Sequence, residues 1–203
     1  MDRPSPKIAG AARIRPASRS WCLLALLAMV AWGGRENAAW AEPRWAGEYE
    51  LKAAFVYNLI SFVDWPQGAL GDRVVVGFAG EGPMNEILTR FFQDKRIGPR
   101  PVEVRIVRTR AELRACNVLL LGYPDATRQR EALKYVEATS VLTVGDGKEF
   151  VQMGGIVAFV ARANAFQLAI NARAAERAQL QISAKLMKMS ELVADESSRG
   201  KLP

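Results

Sequence analysis

The chain contains no histidine and only two cysteines, Cys22 and Cys116, among its 203 residues. Without an imidazole there is no Ser-His-Asp triad, no Cys-His dyad and no histidine metal ligand. Two cysteines cannot build a four-thiolate zinc or iron–sulfur centre. No apolar run reaches the roughly 20 residues that a membrane-spanning helix needs, and the stretch from Trp21 to Trp32 stops at twelve. What is there is ordinary for a globular domain. Half of the residues (50%) are hydrophobic and 24% are charged, which excludes wholesale disorder and a polytopic membrane protein.

The formal charge of +7 is unevenly spread. Residues 1–41 hold six Lys/Arg against two acids, and the remaining chain holds 22 against 19. A nucleic-acid partner is therefore not implied. The basic segment reads as a secretory signal: Arg13, Arg15 and Arg19 precede the apolar run, and Ala39-Trp40-Ala41 offers small residues for cleavage after Ala41. An uncleaved N-terminal anchor is the alternative, and both place the bulk of the protein beyond the inner membrane. Three segments follow: a signal peptide at 1–41, one domain at 42–195 and a polar tail at 196–203.

Past Ala41 the pattern alternates helices with short apolar strands. Helices are expected at Glu48–Val63, Pro83–Gln93, Asp125–Glu137 and, as one long element, Ala172–Val193. Strands are expected at Val74–Phe78, Pro101–Val107, Val118–Leu121, Val141–Val144, Ile156–Val160 and Phe166–Ile170, the last two forming a hairpin through Arg162-Ala163-Asn164. The predicted fold is a single layered α/β domain with a mixed, mostly parallel sheet of about five or six strands and helices on both faces.

Candidate chemistry is sparse. Gly77-Phe78-Ala79-Gly80-Glu81-Gly82 lacks dinucleotide-loop spacing and carries an acid, so it reads as a strand-to-helix turn. Gly145-Asp146-Gly147-Lys148-Glu149 lacks the Ser/Thr that a phosphate loop places after its lysine, and also reads as a turn. Ser183 and Lys185 sit two apart in an expected helix, which points them away from each other. Glu48 and Glu50 suit a helix start rather than a metal site. Cys116 precedes an apolar strand and reads as a small buried hydrophobe. Neither a catalytic set, nor a cofactor site, nor a metal site is assembled, so the chain is expected not to be an enzyme.

The two end helices are apolar nearly all round. In the first, Leu51, Phe55, Leu59 and Phe62 form one stripe, and Tyr49, Ala53, Val56, Ile60 and Val63 form another. In the last, Ala175, Ala178, Ile182, Leu186, Met189 and Val193 read as the core stripe, with Leu180, Ala184 and Met187 opposite. A helix without a wet face is buried on every side or meets a partner. The two helices could cover each other. The functional alternative is a docking or dimer surface of Tyr49, Val56, Ile60, Val63, Leu180 and Met187, joined by Phe166, Leu168 and Ile170 of the hairpin.

Several ordered blocks resemble the YfiR family (the DUF4154 domain). They are Lys52-Ala53-Ala54-Phe55-Val56-Tyr57-Asn58, Phe62-Val63-Asp64-Trp65-Pro66, Val141-Leu142-Thr143-Val144-Gly145-Asp146, Phe150, Gly154-Gly155-Ile156, Phe166, Ile170-Asn171, Ala174-Ala175 and Leu180 to Leu186. The resemblance runs from about Glu48 to Met189. It implies a periplasmic protein that dimerises and represses an inner-membrane diguanylate cyclase, or a related sensor, through the partner's periplasmic portion. An outer-membrane lipoprotein relieves that repression, which links the envelope to cyclic di-GMP and biofilm. Family members carry intrachain disulfides, whereas this chain beyond Ala41 has Cys116 alone. A reading from another class is a periplasmic solute binder feeding a transporter or sensor kinase, with its ligand at the Gly80–Pro83 turn.

Overall fold

The structure, a computed structural model, describes residues 44–162 and 165–194. The expected leader, tail and hairpin-tip residues Ala163 and Asn164 lie outside them. Helix α1 (Arg44–Ile60) is followed by β1 (Val63–Asp64), β2 (Val74–Gly80), α2 (Met84–Phe92), β3 (Arg96–Ile97) and β4 (Arg100–Ile106). Next come α3 (Arg110–Arg114), β5 (Val118–Gly122), α4 (Ala126–Val136), β6 (Leu142–Asp146), α5 (Lys148–Gln152), β7 (Val157–Arg162) and β8 (Ala165–Ile170). The described chain finishes with α6 (Ala172–Arg177), β9 (Gln181–Ile182), α7 (Ala184–Lys188) and β10 (Glu191–Leu192).

The main sheet has eight strands in the order β10-β8-β7-β6-β5-β2-β4-β3. Neighbours from β4 through β7 pair in parallel, and β8 returns antiparallel to β7 as the second arm of the expected hairpin. The strand count exceeds the expected five or six because the two-residue strands β3 and β10 sit at the edges. Segments that short carry no periodicity to read.

Both faces of the sheet are covered, which explains strands apolar at every position. On β2, Val74, Val76 and Phe78 enter one core with α1, α2, α6 and α7, whereas Val75 and Ala79 enter a second core with α3, α4 and α5. The buried polar residues Thr143 and Asn171 are paired inside these layers. Thr143 Oγ1 accepts from the Ile156 N–H at 2.9 Å. Asn171, fully buried, caps α6 by accepting from the Ala174 N–H and donates to the Val151 carbonyl. Phe150, also fully buried, lies against Gly145 and Gly155, where a Cβ on either glycine would overlap its ring. Gly155 is thus needed for close approach, and Gly154, at φ +105°, makes the turn beside it.

The long C-terminal helix expected at Ala172–Val193 is not formed. Helix α6 stops at Arg177, and Gln179 takes a left-handed φ of 59°. The chain then pairs antiparallel with β1, Val63 opposite Ile182 and Asp64 opposite Gln181, with the Ser183 N–H donating to the Phe62 carbonyl. Ser183 caps a new short helix by accepting from the Leu186 N–H at 3.3 Å. Tertiary pairing overrides helical propensity here. The same pairing ends the first helix at Ile60 instead of Val63.

Cys116 is buried at 4% exposure, and burial pushes its thiol up to about 11. Because the thiolate is the reactive form, labelling by an aromatic disulfide at pH 8 should run about 100-fold slower in the folded protein than in denaturant. Equal rates would show an accessible thiol.

Candidate docking face

The C-terminal ends of β6 and β7 meet the first turns of α1 around one charged group. Lys52 is 7% exposed, and its Nζ lies 2.8 Å from Asp146 Oδ1 and 3.1 Å from Glu48 Oε1. The rings of Tyr49, Phe159 and Phe166 surround the ammonium at 5.6, 5.9 and 5.1 Å, within the range of cation–π attraction. Burial works to lower the pKa of Lys52, but hydrogen bonds and charge from Asp146 and then Glu48 outweigh it and hold it above its ordinary value. The carboxylates of Glu48 and Asp146 remain 47% and 62% exposed, so the charge is compensated without removing either acid from water. The i, i+4 spacing of Glu48 and Lys52 is legible in the sequence. The partner at Asp146 requires the fold.

This ion cluster sets the rotation of α1. With Lys52 inward, Ala53, Val56 and Ile60 pack on the sheet fully buried. Leu51 stands outward at 44% exposure, and Phe55 and Phe62 are half-buried. Phe55 meets Phe159 edge-on at 6.1 Å between centroids, and Phe159 meets Phe166 at 6.0 Å. The Lys185 ammonium lies 5.9 Å from the Phe62 ring. An apolar ridge therefore begins at the exposed Leu51 and continues over Phe55, one turn on in α1, to Phe62 just past the helix end, the two rings half-buried against the core.

The expected docking surface is corrected by this rotation. Val56, Ile60, Val63, Leu168, Ile170 and Leu180 are all core residues and offer nothing to a partner. Tyr49, Phe166 and Met187 are half-buried and retain some surface. Periodicity identifies two stripes on α1 but does not say which faces inward. The smaller side chains face the sheet because they let the helix approach it closely. In the terminal segment, Met189, assigned to the core stripe, is 69% exposed, and Leu192 is 61% exposed.

Of the segments expected as turns, Gly77 to Gly80 belongs to β2, Gly145 and Asp146 end β6, and Lys148 opens α5. Glu50 pairs with Arg90 at 2.6 Å. Lys148 and Arg162 both reach Glu191, at 2.6 and 3.3 Å, and tie β10 to α5 and to the hairpin. Among the described residues no group of three or more Cys, Asp or Glu side chains is placed to hold a metal ion, and no helix is long and apolar enough to cross a membrane.

Residues 49–191 match the profile of the YfiR/HmsC-like family (DUF4154), so the chain belongs to that family. No curated protein matches in sequence. Among solved structures, the ABC domain in complex with L-Trp from Streptococcus pneumonia is 10% identical at a TM-score of 0.49 and covers 71% of this chain and 60% of its own. A conserved domain protein from Vibrio cholerae O1 biovar eltor str. n16961 is 12% identical at 0.48, covering 71% and 59%. The chain thus spans about three fifths of either protein, and likenesses this distant carry no argument about function.

Proposed function

We propose that this member of the YfiR/HmsC-like family of periplasmic regulatory proteins represses an inner-membrane diguanylate cyclase, or a related sensor, by docking on its periplasmic portion. The observation that carries the reading is the apolar ridge headed by the exposed Leu51, with Phe55 and Phe62 half-buried beside it, on a domain that already fills two cores. Tyr49, Phe166 and Met187 border the proposed docking surface.

A repressor of this kind needs no reacting group. It must bind the inactive conformation of its partner better than the active one, since equal affinity shifts nothing. Moving a partner from 1:99 to 99:1 requires about a 10⁴-fold preference, which a few well-buried aromatic and aliphatic anchors can supply. An outer-membrane lipoprotein competing for the same ridge would relieve repression. A homodimer through the ridge would store the repressor in an unavailable form. Deleting the gene should raise cyclic di-GMP and biofilm, and returning the wild-type chain should lower both. Unchanged cyclic di-GMP in the deletion strain would contradict the reading.

A further inference from the structure

We propose that the crevice at the topological switch point of the sheet binds a small organic anion that also carries a hydroxyl or amino donor. The site goes beyond the repressor reading and uses none of the α1 ridge. In the order β4-β2-β5, the chain leaves β2 for a neighbour on one side and later returns to β5 on the other. The loops after β2 and β5 part there, and open α/β sheets place ligands in the resulting crevice. Two adjoining clefts of about 330 and 410 Å³ occupy this position and share Val107, Arg108 and Tyr123.

The lining provides charge without full compensation. Arg108, Arg110 and Arg128 line the 330 Å³ cleft with Glu131, and Arg108 also lines the 410 Å³ cleft with Glu81. The Arg110 guanidinium lies over the Tyr135 ring, its Cζ 4.1 Å from the centroid, a cation–π contact that anchors the side chain in the cleft wall. Among the described residues neither Arg108 nor Arg110 forms an ion pair, and Arg128 approaches Glu81 no closer than 3.9 Å. The nearby carboxylate of Glu112 is not among the side chains that line either cleft. It accepts from the N–H groups of Arg108 and Thr109 at 2.8 Å each, completing a capping box, and those bonds hold it below the usual carboxylate range.

A second, independent feature points the same way. Asn85 stands in the wall below the β2 loop, and its Oδ1 is buried without a hydrogen-bond partner. A buried acceptor of this kind calls for a donor. Arginine N–H groups at one end and an unsatisfied acceptor beside Glu81 at the other fit a phosphate or carboxylate compound bearing a hydroxyl or amine. A bare inorganic anion would satisfy one end alone.

The test is calorimetric titration of the purified secreted protein at low salt with glycerol 3-phosphate, malate and inorganic phosphate. One of the two hydroxylated anions should bind about tenfold or more tighter than inorganic phosphate, and which one prevails identifies the oxyanion. The R108Q/R110Q double variant, altered at exposed positions, should keep its melting temperature and lose about tenfold or more in affinity. K188Q, a charge change in α7 outside the residues that line the clefts, should bind like wild type. The proposal is overturned by no heat from any probe up to about 10 mM. It is equally overturned by inorganic phosphate binding as tightly as the hydroxylated anions, or by binding that R108Q/R110Q leaves unchanged. All of these readouts are independent of the membrane partner, so failure here leaves the repressor reading standing, and the reverse.

Discussion

Leu51→Asp is expected to abolish repression while the protein stays folded, whereas Ile60→Asp is expected to unfold it. Leu51 is 44% exposed on the outer side of α1, and Ile60, nine residues on, is 2% exposed against the sheet. A surface substitution shifts stability by about 0.5 kcal/mol or less, which is about 2 °C for a domain of this size. A central anchor of an interface contributes about 2 kcal/mol or more, so Leu51→Asp should weaken partner binding by about 30-fold or more. Burying an unpaired carboxylate at position 60 should cost about 4 kcal/mol or more. Circular dichroism and cyclic di-GMP measurement on the two variants check both halves. A folded, active Ile60→Asp protein would contradict the rotation of α1, and a folded, fully repressing Leu51→Asp protein would contradict the ridge.

The second large effect concerns Lys52. Removing both compensating acids, in Glu48→Gln/Asp146→Asn, should leave its ammonium buried among three rings and cost about 3 kcal/mol at neutral pH. Lys52→Met keeps the volume and removes the charge, and should be nearly neutral. The pH dependence separates the cases. In the wild type the folded-state pKa of Lys52 lies above its ordinary value of 10.5. Its stabilising contribution is therefore complete below the unfolded pKa and disappears as pH rises through the folded one. In the doubly amidated variant both carboxylates are gone and burial outweighs the ring contacts, so the folded pKa falls below the unfolded one and stability should rise with pH as lysine deprotonates. Melting temperatures between pH 8 and 10.5, each referenced to Lys52→Met, should stay level for the wild type and rise with pH for the double variant. A double variant as stable as wild type would mean that the acids do not hold the lysine.

Much of the fold is legible in residue pattern. Val118 to Leu121 reads as a central strand because both its faces are buried, and Val118 and Leu120 indeed enter one core while Leu119 and Leu121 enter the other. Helix α4 keeps its expected bounds because Asp125 caps it locally, accepting from the Thr127 N–H at 2.9 Å. The failures lie where partners distant in sequence decide. Gln181 and Ile182 leave the helical state because β1, more than a hundred residues earlier, offers a pairing edge. The orientation of α1 depends on Asp146, which no local window around Lys52 contains. Ser183, read as a helix-interior residue, is in fact a cap, and its placement ahead of Ala184-Lys185-Leu186 was a usable signal.

Placing a photo-activated cross-linking amino acid at position 51, and separately at Lys134 on the opposite face of the sheet, tests the docking surface most directly. The account predicts, in living cells, an adduct from position 51 with an inner-membrane protein that carries a diguanylate cyclase domain or belongs to a sensor, and none from position 134. An adduct from position 134 with silence at 51 would contradict it, as would the absence of any membrane-protein adduct from either.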